Sequence, residues 1–319
     1  MKRFLMAVLA SMAIPLAAAE PPAPAIDHHQ HLFSPGIVAL LASPAVKPLD
    51  AHRLVALLDE AGIRRAVVLS VAYMYGRPSR VVEDEYGKVR AENDWTAAQA
   101  AQYPDRLRAF CGVNPLKEYA LREIARCAAD QRLRHGLKLH FGNSDVRLEV
   151  PEHAARLREV FAAANRHGMA IAVHMRASVS LKRPYGREQA RIFLEQLLTA
   201  APDVPVQVAH FAGTGPGYDD PPAHEVMEAL ADAVAQGDPR TRRLWFDIAT
   251  VVDREIAPDT AARVAALVRR VGVDRVLFGS DAATAPERSP NAWWEALRRL
   301  PLSDAELARI ASNEAPYWR

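Results

Sequence analysis

Four histidines and one aspartate close short apolar runs in this chain: His29 and His31, then His174, His210 and Asp281. Their spacing repeats. Lys138 and His174 are 36 residues apart, His174 and His210 are again 36 apart, and His210 and Asp281 are 71 apart, close to two such steps. A core histidine has no reason to recur at the period of a structural unit. Metal ligands do, when each sits at the same end of successive strands around a barrel. Three imidazoles, a carboxylate and a water molecule make a hydrolytic site for a divalent ion, and zinc is its commonest occupant. The spacing therefore points to a metalloenzyme.

Within Asp27-His28-His29-Gln30-His31, strand alternation predicts that His29 and His31 share a face and that His28 points away. Two imidazoles so placed can chelate one ion. Lys138 and His140 lie two apart on the fourth apolar run. The lysine is open to three uses: an ion-pair partner, a substrate clamp, or, if carbamylated, a bridge between two metals. Residues after the second, fourth and fifth runs supply candidate substrate contacts: Tyr73, Tyr75, Arg77, Arg80, Asn143 and Arg176. Arg176, two residues past His174, is the expected clamp for a substrate carboxylate, because a guanidinium binds carboxylates in a bidentate fork. Arg77 and Arg80 read as solvated loop charges.

These residues need a scaffold that repeats. Strands are predicted over residues 25–31, 66–71, 107–113, 136–140, 170–174, 205–210, 244–248 and 276–279, each short, apolar and mostly bounded by Gly, Pro or charges. Amphipathic helices are predicted over 52–61, 152–167, 187–200, 223–236, 259–271 and 291–300, with a closing helix over 303–312 whose Ser303 and Glu306 fit a capping box. From His31 to Asp281 is 250 residues, about 36 for each strand-to-strand step. That suits a (β/α)8 TIM barrel of α/β class. A doubly wound open sheet is the competing fold, but no Gly-rich phosphate turn follows the first strand.

The N-terminus reads as a signal peptide over residues 1–19: Lys2 and Arg3, an apolar stretch too short to span a bilayer, then Ala17-Ala18-Ala19 as cleavage site. This predicts export, to a bacterial periplasm or beyond. Residues 20–25 form a linker, and 26–319 a single domain. Without the leader the formal net charge falls from +2 to 0, so nothing suggests a nucleic-acid footprint, and no later stretch reads as membrane-spanning. Cys111 and Cys127 are expected as two buried thiols rather than a pair.

With His29-x-His31 after the first strand, His174 after the fifth, His210 after the sixth and Asp281 after the eighth, the chain resembles the amidohydrolase superfamily. More narrowly it is similar to the amidohydrolase-related branch, which holds lactonases and aminocarboxymuconate-semialdehyde decarboxylase. Asn93-Asp94-Trp95, Pro104-Asp105-Arg106, the 136–140 run and Asn313-Glu314-Ala315 add to the likeness, over most of residues 26–315. The resemblance implies a distorted barrel binding one or two divalent ions, held by His29, His31, His174 and Asp281. His210 would be a ligand in a two-metal site, and an acid/base or polarising group in a one-metal site. The reaction implied is hydrolysis of a small, carboxylate-bearing amide, lactone or ester, with Asp281 moving the proton from water to the leaving group. Metal-dependent decarboxylation is the alternative, and a non-catalytic periplasmic metal- or ligand-binding barrel a third reading.

Overall fold

The computed structural model describes residues 21–281 and 288–318. The expected leader over 1–19 lies outside the described residues. Eight parallel strands follow one another around a single sheet: β1 (Ile26–Gln30), β2 (Arg65–Leu69), β3 (Leu107–Gly112), β4 (Gly136–His140), β5 (Ala170–His174), β6 (Val206–Val208), β7 (Leu244–Asp247) and β8 (Val276–Leu277). The seam between β8 and β1 is drawn together by His28 N–H donating to Phe278 O at 2.9 Å and Asp281 N–H to His29 O at 2.6 Å. The fold is thus a nearly closed (β/α)8 barrel, as the repeat of polar strand ends predicts.

The helices are α1 (Pro35–Leu41), α2 (Ala51–Glu60), α3 (Glu85–Ala100), α4 (Ala120–Ala129), α5 (Phe141–Ser144), α6 (Pro151–Arg166), α7 (Arg187–Ile192), α8 (Pro221–Ala235), α9 (Pro258–Val271), α10 (Pro290–Leu297) and α11 (Asp304–Ser312). Local chemistry sets their ends. Asp50 caps α2 by accepting from Arg53 N–H, Pro151 and Pro258 sit in the first turns of α6 and α9, and Ser303 with Glu306 forms the predicted capping box on α11. No helix among the described residues is long and apolar enough to cross a membrane.

The main core lies between the outer faces of the strands and the helices, while a smaller cluster fills the barrel interior. Ile26, Val67, Leu69, Phe110, Ala172 and Leu277 form that inner cluster, and Tyr317 and Trp318 from the C-terminus pack into it. This plug explains His28. Its Nδ1 lies 2.9 Å from Tyr317 Oη and its Nε2 3.2 Å from Asn313 O. The pairing of β1 with β2 slips between Asp27 and Gln30, so His28 and His29 together oppose Val67 alone. The extra residue is a bulge, and it corrects the expected alternation: His28 also faces inward, one layer away from His29.

A second correction concerns the cysteines. Cys111 at the end of β3 and Cys127 on α4 form a disulfide, with Cα atoms 6.2 Å apart. The packing of α4 over its own strand brings the two within bridging span, which sequence separation alone does not reveal.

Candidate metal centre

Every group that converges here hangs from the C-terminal end of a strand. His29 is the next-to-last residue of β1 and His31 follows the strand; Lys138 and His140 end β4, His174 ends β5, and His210 and Asp281 lie just past β6 and β8. His29 Nε2 and His31 Nε2 are 3.3 Å apart. Asp281 Oδ1 lies 3.4 Å from His31 Nε2 and 3.9 Å from His29 Nε2.

The outer hydrogen bonds decide what these nitrogens can do. His29 Nδ1 faces the Asp247 carboxylate at 2.9 Å, and His31 Nδ1 faces Leu69 O at 2.5 Å. Both partners only accept, so both Nδ1 atoms carry the proton and both Nε2 atoms carry lone pairs. Lys138 Nζ, which only donates, sits 3.2 Å from His29 Nε2. The ammonium reaches the His29 lone pair, but the His31 lone pair still faces both His29 Nε2 at 3.3 Å and Asp281 Oδ1 at 3.4 Å, a crowding of electron pairs that a cation among them would relieve. The donor set therefore fits a divalent ion, with each imidazole oriented by a second partner as metal-binding histidines are.

Burial sets the charges. It pulls His31 down to about 3, against the attraction of Asp281, and so keeps the ring neutral. His174, His140 and His210 are lowered in the same direction, by burial first and then by the crowding of the other rings and Lys138 around them, which disfavours a further charge. Burial brings the Lys138 ammonium down to about 8, with Asp247 and Asp281 opposing. Burial pushes the Asp281 carboxyl up, but His29, His31, His210 and Lys138 outweigh it and hold it well below the usual carboxylate range.

His174 stands one ring further out. It stacks on His140 at 3.8 Å between centroids and meets His210 edge-on at 5.0 Å, while His210 lies 4.6 Å from His29. Its nitrogens are not within the tight group formed by His29, His31 and Asp281. His210 Nδ1 lies 2.8 Å from Ala249 O, which fixes its Nε2 as the free nitrogen.

Among the expected substrate contacts the structure divides the roles. Tyr73 is buried beside His140, with ring centroids 5.1 Å apart. Tyr75 is turned away from the cluster: its hydroxyl lies against Gly36, near Glu92. Asn143 lines the mouth beside His140. Arg176 lines it too, but its fork is occupied: Nε and Nη2 donate to Asp220 at 2.6 and 3.1 Å, and the guanidinium lies 4.7 Å over the Tyr185 ring. Arg77 lines the same recess.

Asp247 is the functional residue that the sequence reading passed over. It is fully buried, and besides His29 it accepts from Gln207 Nε2 at 2.6 Å and from the His210 backbone N–H at 2.9 Å. A signal was present: Asp247 closes an apolar run and lies 37 residues past His210, one step of the repeat. The tether matters because His210, Phe211 and Ala212 all have left-handed backbones, at φ 54°, 46° and 62°. Such residues cost of order 1–3 kcal/mol each and persist only where surrounding contacts hold them.

Two recesses open at the strand ends, and Thr214 lines both. One, of about 220 Å³, contains Asp281, Thr250, Arg288 and Trp293. The other, of about 280 Å³, contains Arg77, His140, Asn143, His174 and Arg176.

Comparison with known proteins agrees with this geometry. The family model described as amidohydrolase matches residues 26–315. No curated protein matches the sequence. Among solved structures, 5-carboxyvanillate decarboxylase from Sphingomonas paucimobilis is similar at 17% identity and TM-score 0.60, covering 91% of this chain and 97% of that one. A probable 2-pyrone-4,6-dicarboxylic acid hydrolase from Acinetobacter baumannii, with citric acid bound, is similar at 18% identity and TM-score 0.56, covering 90% and 95%. A mutant 5-carboxyvanillate decarboxylase from Novosphingobium aromaticivorans, solved with manganese and 3-methoxy-4-hydroxy-5-nitrobenzoic acid, is similar at 14% identity and TM-score 0.61, covering 94% and 97%. At such identities the likeness is one of fold.

Proposed function

The chain belongs to the amidohydrolase family, and from that premise we propose that it is a metal-dependent decarboxylase of a small carboxylate-bearing substrate. The observation that carries a metal-dependent reaction is the convergence of the His29 and His31 Nε2 lone pairs on Asp281 Oδ1. His29, His31 and Asp281 would hold one divalent ion, with His174 nearby to complete the set; imidazoles with a carboxylate suit zinc and manganese alike. Bound there, the ion would draw electron density from the reacting carboxylate or carbonyl and make water more acidic.

Decarboxylation rather than hydrolysis is supported by the names of the similar structures, two of the three described above being decarboxylases. A carboxylate on that substrate is supported by the recess beside His140 and His174, where Arg77 and Arg176 and no acidic side chain line the wall among the described residues. When carbon dioxide leaves, a proton must take its place on carbon. His210 can relay it through Nε2, which is unprotonated while Ala249 O holds the Nδ1 proton: Nε2 would take a proton from water, leaving hydroxide, and pass it to the carbon. Lys138 adds an ammonium at the floor, in reach of an anionic substrate.

Hydrolysis of a lactone, ester or amide is the second reading, favoured by Asp281. Its side chain is 29% exposed at the mouth and its carboxyl is held ionised, so it can take a proton from water and return it to the leaving group. The disulfide between Cys111 and Cys127 supports the reading of an exported protein, since such bonds persist in oxidising compartments.

The test is a panel of hydroxylated benzoates, other small carboxylates and lactones, turned over by the metal-loaded protein in ¹⁸O-labelled water. Carbon dioxide release without label in the organic product is the expected result. Label incorporation without carbon dioxide would replace decarboxylation by hydrolysis. Tight metal binding with neither outcome would leave a non-catalytic barrel.

A further inference from the structure

We propose that Tyr317, near the C-terminus, is a positioning residue for the metal centre, acting on His29 from inside the barrel through Gln207 and Asp247. The proposal rests on the reading of His29, His31 and Asp281 as the group that holds the ion.

Tyr317 is anchored on the side where the strands begin. Arg108, the second residue of β3, donates to its carbonyl oxygen, and the Phe110 ring meets its ring edge-on at 5.1 Å between centroids. The guanidiniums of Arg65 and Arg108 lie 5.3 and 4.3 Å from the centre of the neighbouring Trp318 ring. Held there, the Tyr317 hydroxyl reaches β6 and donates to Gln207 Oε1 at 2.5 Å. Gln207 Nε2 donates to Asp247 Oδ2 at 2.6 Å, and the same oxygen takes the His29 Nδ1 proton at 2.9 Å. His28 Nδ1 lies on the tyrosine hydroxyl at 2.9 Å. His29 and Asp247 are fully buried and Gln207 is 1% exposed, so a partner lost from this chain is not replaced by bulk water.

The chain of contacts has one sense. A carboxylate only accepts, so the Gln207 nitrogen must face Asp247, its oxygen must face Tyr317, and the hydroxyl proton must point at that oxygen. Gln207 Oε1 has no other hydrogen-bond donor among the described residues. Without the hydroxyl this buried oxygen is left unpaired, and the amide turns toward another donor and draws its nitrogen away from Asp247. Asp247 Oδ2 then keeps only His29, and the carboxylate that orients the imidazole is itself held less firmly. A phenylalanine would fill the same space against Phe110; the hydroxyl is what orders Gln207. The effect is one of geometry, and no proton travels along the chain.

The experiment is a double-mutant cycle on the full chain, read in zinc affinity by competition with a chelator. Tyr317→Phe keeps the ring and removes only the hydroxyl; Gln207→Met keeps the length and removes the amide. Each should weaken zinc binding by about three- to tenfold, less than the loss of a direct outer partner because both act at one remove. The double variant should bind no more weakly than Gln207→Met alone, since the hydroxyl acts through the amide. Tyr317→Phe loaded with cobalt(II) should also show a shifted visible spectrum, which reports ligand geometry and does not depend on Gln207→Met folding. Unchanged zinc affinity in Tyr317→Phe, losses that multiply in the double variant, or an unchanged cobalt spectrum overturns the proposal. His31→Ala separates this from the reading beneath it. If His31→Ala leaves zinc affinity unchanged, the centre lies elsewhere and the proposal falls with it; if His31→Ala weakens binding and Tyr317→Phe does not, the proposal alone falls.

Discussion

Asp247 at the end of β7 holds His29 at both its function and its geometry: one oxygen takes the His29 Nδ1 proton at 2.9 Å, and the other tethers the His210 backbone N–H at 2.9 Å. A single buried carboxylate thus fixes the tautomer of one candidate ligand and the left-handed run that carries another ring of the site. Asp247→Asn preserves shape but removes the charge. Metal affinity, measured by competition with a chelator, should fall about 10- to 100-fold, as it does when such outer partners of metal-binding histidines are lost. Unchanged affinity in a folded variant would confine Asp247 to a structural role.

The chelator experiment extends to the ligands themselves. Stripping the protein of divalent ions should abolish turnover, and adding back zinc or manganese should restore it. His31→Ala and Asp281→Asn should each weaken metal binding by more than about tenfold, since both side chains belong to the tight group. His174→Ala should weaken it less, because the His174 ring lies beyond His210 rather than within that group. Equal losses for His31→Ala and His174→Ala would show that the histidine after β5 is a full ligand.

Gly279 shows how closely the β8 end passes the site. A Cβ there would lie 2.7 Å from the Cβ of His29 and 3.1 Å from that of Ala249. Neither atom can swing aside, since each is fixed to its backbone. Gly279→Ala should therefore cost about 1–3 kcal/mol in urea unfolding, as overpacking does, and should also weaken metal binding by moving His29. Loss of stability with metal affinity intact would show that the strain is absorbed on the β7 side.

The parts of this molecule that were legible are those in which a polar side chain ends an apolar run. His174, His210 and Asp281 break their runs at one period, and that was enough to predict the barrel and the rim on which they sit. The parts that were not legible depend on departures from regular periodicity. The bulge in β1 turns His28 inward against Tyr317, 289 residues away, and period-two alternation contains no sign of it. Helix α3 buries Glu92, Asn93 and Thr96 along with Val89 and Ala97, so its inner face reads as polar and no amphipathic pattern marks it. Asn93 is there to brace Gly112 at the end of β3, accepting from its N–H at 2.8 Å and donating to its carbonyl at 3.0 Å. Arg176 looked like a clamp for substrate because its partner Asp220 lies 44 residues away, on a different loop.

Glu92 gives a prediction of a different kind, in pH rather than in metal. It is 3% exposed on α3, where one carboxyl oxygen accepts from Ser34 Oγ at 2.5 Å and the other has no partner. Burial pushes this carboxyl up to about 7 from an ordinary value of 4.5, with the Ser34 hydrogen bond opposing. Between those values the folded protein keeps a proton that the unfolded chain has released. Stability therefore declines as pH rises from about 4.5 to about 7 and levels off above, the opposite of what a salt-bridged carboxylate does. Glu92→Gln cannot ionise and should remove this slope. Its stability relative to wild type, from urea unfolding, should be near parity at pH 5 and rise by up to about 3 kcal/mol at pH 8. Parallel pH profiles for the two proteins would mean that Glu92 ionises in the fold as readily as in water, and the buried carboxyl would then need a partner that has not been recognised.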